Sequence, residues 1–147
     1  MTEESSAFPQ KLIGWRRLAA AALAVALLAP LVVARCLVPD PRGLGTHQQL
    51  GLPPCTFRVL FGRPCPACGM TTAWANALRG RLSPALRANV TGTLLCGLDL
   101  AAVGWLGLSV LRGRWLGREP NHDAGAWLAG CVTAVMLVEW CVRLAVG

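Results

Sequence analysis

Cys65 and Cys68 stand two residues apart in the stretch Cys65-Pro66-Ala67-Cys68-Gly69-Met70-Thr71, and Cys55 precedes them with nine residues between. A C-P-x-C-G pattern is a metal half-site: the turn aims two thiolates at one ion, and glycine supplies the unusual backbone angle. A structural zinc site wants four ligands. Cys55 is the third, and His47 is the only nearby histidine for a fourth; a site shared between two chains would also complete the set. Zinc or iron is the metal such a site implies. The same residues also read as redox chemistry. Pro66 suits the first position of a helix, which makes Cys65 an N-cap and predicts a helix from Pro66 to Leu78 with both thiols in its first turn. Cys65 would then be the attacking thiolate and Cys68 the resolving one, since unpaired N–H groups at a helix start favour the thiolate. A structural disulfide, or thiols buried without chemistry, is the third reading of the same residues.

The elements that must position these thiols are membrane helices. The chain has 147 residues, of which only 14% are charged, and its mean hydropathy is positive at +0.51. Soluble domains carry about 25% charged residues. Of the 14 basic residues only Lys11 is lysine, and the arginines sit beside apolar runs instead of forming a stripe with interleaved aromatics. That pattern favours anionic lipid headgroups over nucleic acid as the partner. Three apolar runs, Leu18 to Val38, Val90 to Leu111 and Ala124 to Val146, each reach the ~20 residues needed to cross a ~30 Å hydrocarbon core. The first also reads as a cleaved signal sequence ending ahead of Arg35, but its apolar character continues past that point.

Residues 39–89 form a cysteine-bearing loop with two short interfacial helices, Pro66 to Leu78 and Ser83 to Asn89, from which Trp74 meets the headgroup layer and Arg79, Arg81 and Arg87 reach phosphates. Met1 to Arg17, with Glu3 and Glu4, reads as a cytoplasmic segment. Residues 112–123 read as an inner loop, closed by Arg112, Arg114 and Arg118 with Trp115 as an interfacial anchor and a solvated His122. Gly104, Gly107, Gly125 and Gly130 offer close helix approach.

Asp99 lies near the middle of the second run, where an ionised carboxylate costs on the order of 3 kcal/mol, and is a functional candidate for that reason. Glu139 and Arg143 are four residues apart with the acid first, the spacing of a pair on one helix face. In this topology Cys36, Cys96 and Cys141 fall on the knuckle's side of the bilayer and Cys131 does not, which is the layout of a thiol relay. The seven cysteines are an odd number, so at least one is free, metal-bound or paired between chains.

The stretch Cys55-Thr56-Phe57-Arg58, then Gly62 to Thr71, Ala73, Leu78-Arg79-Gly80 and Ala85 to Asn89, resembles a family of small bacterial membrane proteins catalogued as a domain of unknown function. That family's hallmark is C-P-x-C-G-x-T-R followed by an R/L-x-G step and Asn-Pro. The resemblance, over about Cys55 to Leu111, implies a helical membrane protein with a cysteine-bearing loop and no established activity. Thr72 stands where the family has arginine, and Val90 where it has proline.

The expectation is an all-α membrane protein of three transmembrane helices with short interfacial helices in the first loop, in the bacterial plasma (inner) membrane. Its function is expected to be non-enzymatic, with the loop cysteines binding metal or forming a staple in a complex with an unknown membrane protein or in a homo-oligomer. A membrane thiol-disulfide oxidoreductase using Cys65 and Cys68 is the alternative, although such enzymes usually have four or more spans and a second cysteine pair. A small transporter or channel subunit using Asp99 is a further one.

Overall fold

The computed structural model describes residues 11–117 and 122–146, without the side chain of His122. The expectations for Glu3, Glu4, Arg118 and a solvated His122 lie outside what it describes. The described chain is helical, with Lys11 and Arg114 forming an isolated bridge. Three helices are long and apolar enough to cross a membrane: α1 (Trp15–Cys36), α5 (Val90–Arg112) and α6 (His122–Val146). Between the first two lie a 3-10 turn (Thr46–Leu50) and the short helices α2 (Thr56–Phe61), α3 (Met70–Ala77) and α4 (Leu82–Ala88). At 22 and 23 residues and ~1.5 Å per residue, α1 and α5 each cover the ~30 Å apolar layer. Their outward leucines and valines, exposed in this structure, are the surface such a layer would solvate.

At one end of the bundle the start of α1 is tied to the end of α5. The Leu12 N–H donates to the Gly113 carbonyl at 2.9 Å, and Leu12, Ala20, Leu106 and Trp115 form a buried cluster. Trp115 is therefore not the interfacial anchor its sequence position suggests. Gly113, at φ +63°, lets the chain fold back over the last turns of α5, and the Trp115 ring stacks on Trp105 with centroids 5.1 Å apart. Trp105 Nε1 donates to the Leu116 carbonyl at 2.7 Å, and Ser109 Oγ accepts from the Leu116 N–H at 3.2 Å. These bonds pair the Leu116 N–H and carbonyl at the reversal, while the buried Trp115 Nε1 has no partner among the described residues.

The other end gathers the end of α1, the start of α5, the end of α6 and everything between residues 37 and 89. Helix α3 is the wedge. Its buried face is Thr72, Ala73, Ala75 and Asn76, small enough to let α1, α4 and α5 approach its backbone. Arg79 does not turn outward to phosphates as expected. It follows α3 directly, where unpaired carbonyls need donors, and its guanidinium reaches the carbonyls of Ala75 at 2.7 Å and of Arg35, in the last turn of α1, at 2.7 Å.

The close approaches fall on other glycines than expected. A Cβ on Gly104, Gly107, Gly125 or Gly130 would meet nothing within 4 Å, whereas one on Gly92 would sit 3.1 Å from Met70 Cα. Gly69 is tighter still: at φ +87°, its added Cβ would overlap the Ala88 carbonyl oxygen and lie 2.9 Å from that of Gly43. Gly69→Ala should therefore cost roughly 2 kcal/mol or more, from left-handed strain plus overlap with backbone that cannot yield. Gly104→Ala should be neutral or stabilise by up to about 1 kcal/mol through helix propensity. Thermal unfolding in detergent checks the pair, and equal midpoints would contradict this account of α3 packing.

Candidate metal centre

Cys55 precedes the first turn of α2 as its N-cap residue, and Gly62, at φ +68°, ends that helix and returns the chain toward the knuckle. The knuckle is two successive turns, not the first turn of a helix. The Cys68 N–H donates to the Cys65 carbonyl at 3.0 Å and the Met70 N–H to the Ala67 carbonyl at 3.1 Å. Gly69 then takes the left-handed conformation and serves as N-cap of α3. The expected helix from Pro66 to Leu78 is thus shorter, Met70–Ala77, and Cys65 is not its N-cap. A right-handed helix cannot pass through a residue at φ +87°, so the Pro66 start signal is overridden. Inside the double turn the Cys65 N–H donates to Cys68 Sγ at 3.2 Å, and the two sulfurs lie 3.1 Å apart.

Side chains from outside hold the turn by its carbonyls. Asn89, fully buried, caps α5 with Oδ1 on the Gly92 N–H, while its Nδ2 donates to Pro66 O at 3.2 Å and Cys68 O at 3.1 Å. Arg143 of α6 donates to the same two oxygens, at 3.2 and 3.0 Å. The Glu139–Arg143 pair read from the spacing is present at 3.1 Å, yet it does more than neutralise itself. The Glu139 carboxylate also accepts from the N–H groups of Val90 and Thr91, both at 2.8 Å, and from the Thr91 hydroxyl at 2.6 Å. Trp140 Nε1 donates to Pro64 O at 2.9 Å, with its ring edge-on to Phe57, and Arg63 donates to Leu144 O at 3.2 Å. The end of α6 is thereby bolted to the knuckle. Sequence reasoning missed Asn89 in this role, though an Asn just before an apolar helical run is an N-cap signal; nothing in the sequence pointed to the bonds that Glu139 and Arg143 make to other segments.

With the carbonyls held on one side, the thiols converge on the other. The sulfurs of Cys55, Cys65 and Cys68 all lie within 4.8 Å of one another, and all seven cysteines are free of disulfides. Beside them opens a cavity of about 170 Å³ whose lining includes Arg42, His47, Arg58, Met70 and Thr71. His47 shares this cavity but lies outside the group of three, with Nε2 3.3 Å from Pro53 O. Cys36, Cys96, Cys131 and Cys141 lie outside it as well. Asp99 is half-buried in α5 with Oδ2 unpartnered among the described residues, and likewise belongs to no such group.

The electrostatics differ from the redox expectation. The backbone N–H of Arg58 at the open start of α2, rather than one near Cys65, acts on a thiol: it holds Cys55 below the ordinary thiol range, without a strict capping hydrogen bond. Burial pushes the Cys68 thiol up to about 12, reinforced by the Cys65 thiol beside it. Cys65 thus does not stand in the first turn of a helix, the position on which its expected role as attacking thiolate rests.

Since the thiolate is the reacting form, the metal-free protein should alkylate at Cys55 faster than at Cys68 by about tenfold or more at pH 8. Cys68 labelling should keep climbing with pH toward about 12, while Cys55 levels off earlier. Peptide mapping after timed iodoacetamide treatment reads the order, and Cys68 reacting first would contradict the arrangement.

The comparisons with known proteins add no activity. No curated protein and no solved structure matches the chain. Residues 55–103, about a third of the chain, which contain all three converging thiols and Asn89, match the family described as Protein of unknown function (DUF2752).

Proposed function

We propose that the protein is a membrane-anchored metal-binding module in which Cys55, Cys65 and Cys68 hold one zinc or iron ion at the end of a three-helix membrane bundle. The observation that carries this reading is the convergence of the three sulfurs within 4.8 Å. Zinc–sulfur bonds are about 2.3 Å, which puts tetrahedral thiolates about 3.8 Å apart. The 3.1 Å between Cys65 and Cys68 would open by well under an ångström to accept the ion. The held carbonyls of Pro66 and Cys68 supply the supporting shell that fixes a metal ligand's backbone.

Three thiolates leave one position on the ion open, and it would face the cavity. Three negative ligands on a divalent ion leave one net negative charge, which Arg58 on the cavity wall would offset, Arg42 being tied to Asp40. The protein would sit in a bacterial inner membrane as a multi-pass protein and act with a partner or a second copy. The hydrogen bonds that tie α6 to the knuckle come from residues 139–143 and reach Leu144, and none of its described residues is buried, so most of its length is available to another membrane helix.

The test is elemental analysis of detergent-purified protein with thiol counts before and after reduction. About one zinc or iron per chain is expected, lost in Cys55→Ser, Cys65→Ser and Cys68→Ser. His47→Ala should retain it, because His47 lies outside the group. No metal, with two thiols appearing only after reduction, would replace this reading with the disulfide one. Metal lost on removing His47 would mean that the loop rearranges to supply a fourth protein ligand.

A further inference from the structure

A second cavity, about 470 Å³, opens at the same end of the bundle. Its walls are the Pro39–Gly43 segment that follows α1, Asn76 of α3, and Arg81, Pro84, Arg87 and Ala88 in and around α4. Three guanidiniums face one carboxylate here. Asp40 is taken by Arg42, at 2.8 and 3.1 Å, whereas Arg81 and Arg87 are exposed and have no partner among the described residues. Arg63, Arg79 and Arg143, by contrast, are all turned onto backbone carbonyls. The arginines at this end therefore include a set spent on internal carbonyls and a pair left at the rim of a concavity.

The position of the cavity narrows the ligand. Pro39 follows the last residue of α1, Cys36, by three positions, so the cavity lies where the chain leaves an apolar layer spanned by α1. Helix α4 buries Ala85 and Ala88 and exposes Leu82 (60%) and Leu86 (43%). A helix with outward leucines between two arginines is built to lie in a headgroup layer, apolar side toward acyl chains. Guanidiniums bind phosphate oxygens in bidentate fashion, and a cavity of this volume falls within the range of small-ligand sites.

We propose that this cavity binds the phosphate group of an anionic phospholipid, with Arg81 and Arg87 on the phosphate oxygens and Leu82 and Leu86 along the acyl chains. The same guanidiniums would recognise free phosphate, and the experiment separates the two sources. It is independent of whether the thiols hold a metal.

The full chain in a neutral detergent is heated with increasing short-chain phosphatidylglycerol, with phosphatidylcholine of the same chain length, or with inorganic phosphate. Phosphatidylglycerol should raise the unfolding midpoint more than phosphatidylcholine, and less so at high salt. Arg81→Gln and Arg87→Gln should each raise the half-maximal lipid concentration roughly tenfold, and the double variant should lose most of the response. Arg112→Gln/Arg114→Gln, which removes equal charge at the opposite end, should keep it. Arg81 and Arg87 are both exposed, so their loss should leave the fold intact; if the double variant does not fold, the single variants and native mass spectrometry of bound lipid decide. A response to inorganic phosphate alone would reassign the site to free phosphate and overturn the lipid proposal. So would equal effects of the two lipids, or a response undiminished in Arg81→Gln/Arg87→Gln.

Discussion

The first turn of α5 is the point on which the rest of this end of the molecule depends. A helix start leaves N–H groups without intrahelical acceptors, and burying them unpaired is costly. Here the first three are each met by a side chain: Val90 and Thr91 by Glu139 of α6, and Gly92 by the N-cap Asn89. The negative carboxylate also sits where the helix dipole favours it. Because Glu139 carries Arg143 with it and Asn89 has an amide to spare, the same residues that finish α5 reach past it to the carbonyls of Pro66 and Cys68. The helix start and the knuckle are therefore parts of one hydrogen-bond network. Such a network is worth most when complete, since each member left unsatisfied costs its own desolvation.

That network fixes which way the double turn faces. Four hydrogen bonds from Asn89 and Arg143 hold its carbonyl side, and the thiols of Cys65 and Cys68 converge with Cys55. Gly69 completes the geometry by letting the turn lie directly against the Ala88 and Gly43 carbonyls, a contact no side chain would permit. Cys55 arrives by a different route, as the residue before α2, and its approach depends on the Gly62 reversal and on the Phe57 to Trp140 contact that seats α2 against α6. Thus three helices that share no sequence proximity set the positions of three sulfurs.

Much of this was legible in the sequence, for identifiable reasons. The three long helices were readable because length and hydropathy alone specify such segments, and the thiol trio because cysteine spacing is a strong local signal. The Glu139–Arg143 pair followed from helical spacing. What escaped is what depends on the identity of a distant neighbour. Arg79 carries the same charge as Arg81 and Arg87 and sits in the same loop, but only it lies over the open carbonyl ends of α3 and α1. Trp115 reads as an anchor until Gly113 turns it inward. The Pro66 start signal is sound local chemistry, and Gly69 three positions later cancels it. His47 reads as a fourth ligand because it is the nearest histidine in sequence; in space it shares the cavity wall without joining the sulfurs.

The two positions singled out by the resemblance, Val90 and Thr72, also acquire physical content. Val90 offers an N–H that a proline in its place would lack, and that N–H is one of the donors to Glu139. The valine therefore lengthens the network by one bond and couples α6 more tightly to α5. Thr72 is buried in α3, and its hydroxyl lies 2.8 Å from that of Thr46, which in turn accepts from the Asp40 N–H at 3.0 Å. A long guanidinium in that pocket would have to displace Thr46 and the 3-10 turn that begins there. Thr72 itself lines the thiol cavity, and the arginines lining it are Arg42 and Arg58. Arg42 is tied to Asp40, so Arg58 is the cation there without a carboxylate partner among the described residues. It lies on the same short helix whose start favours the Cys55 thiolate, so charge that would stabilise an anionic centre is concentrated beside one of its three sulfurs.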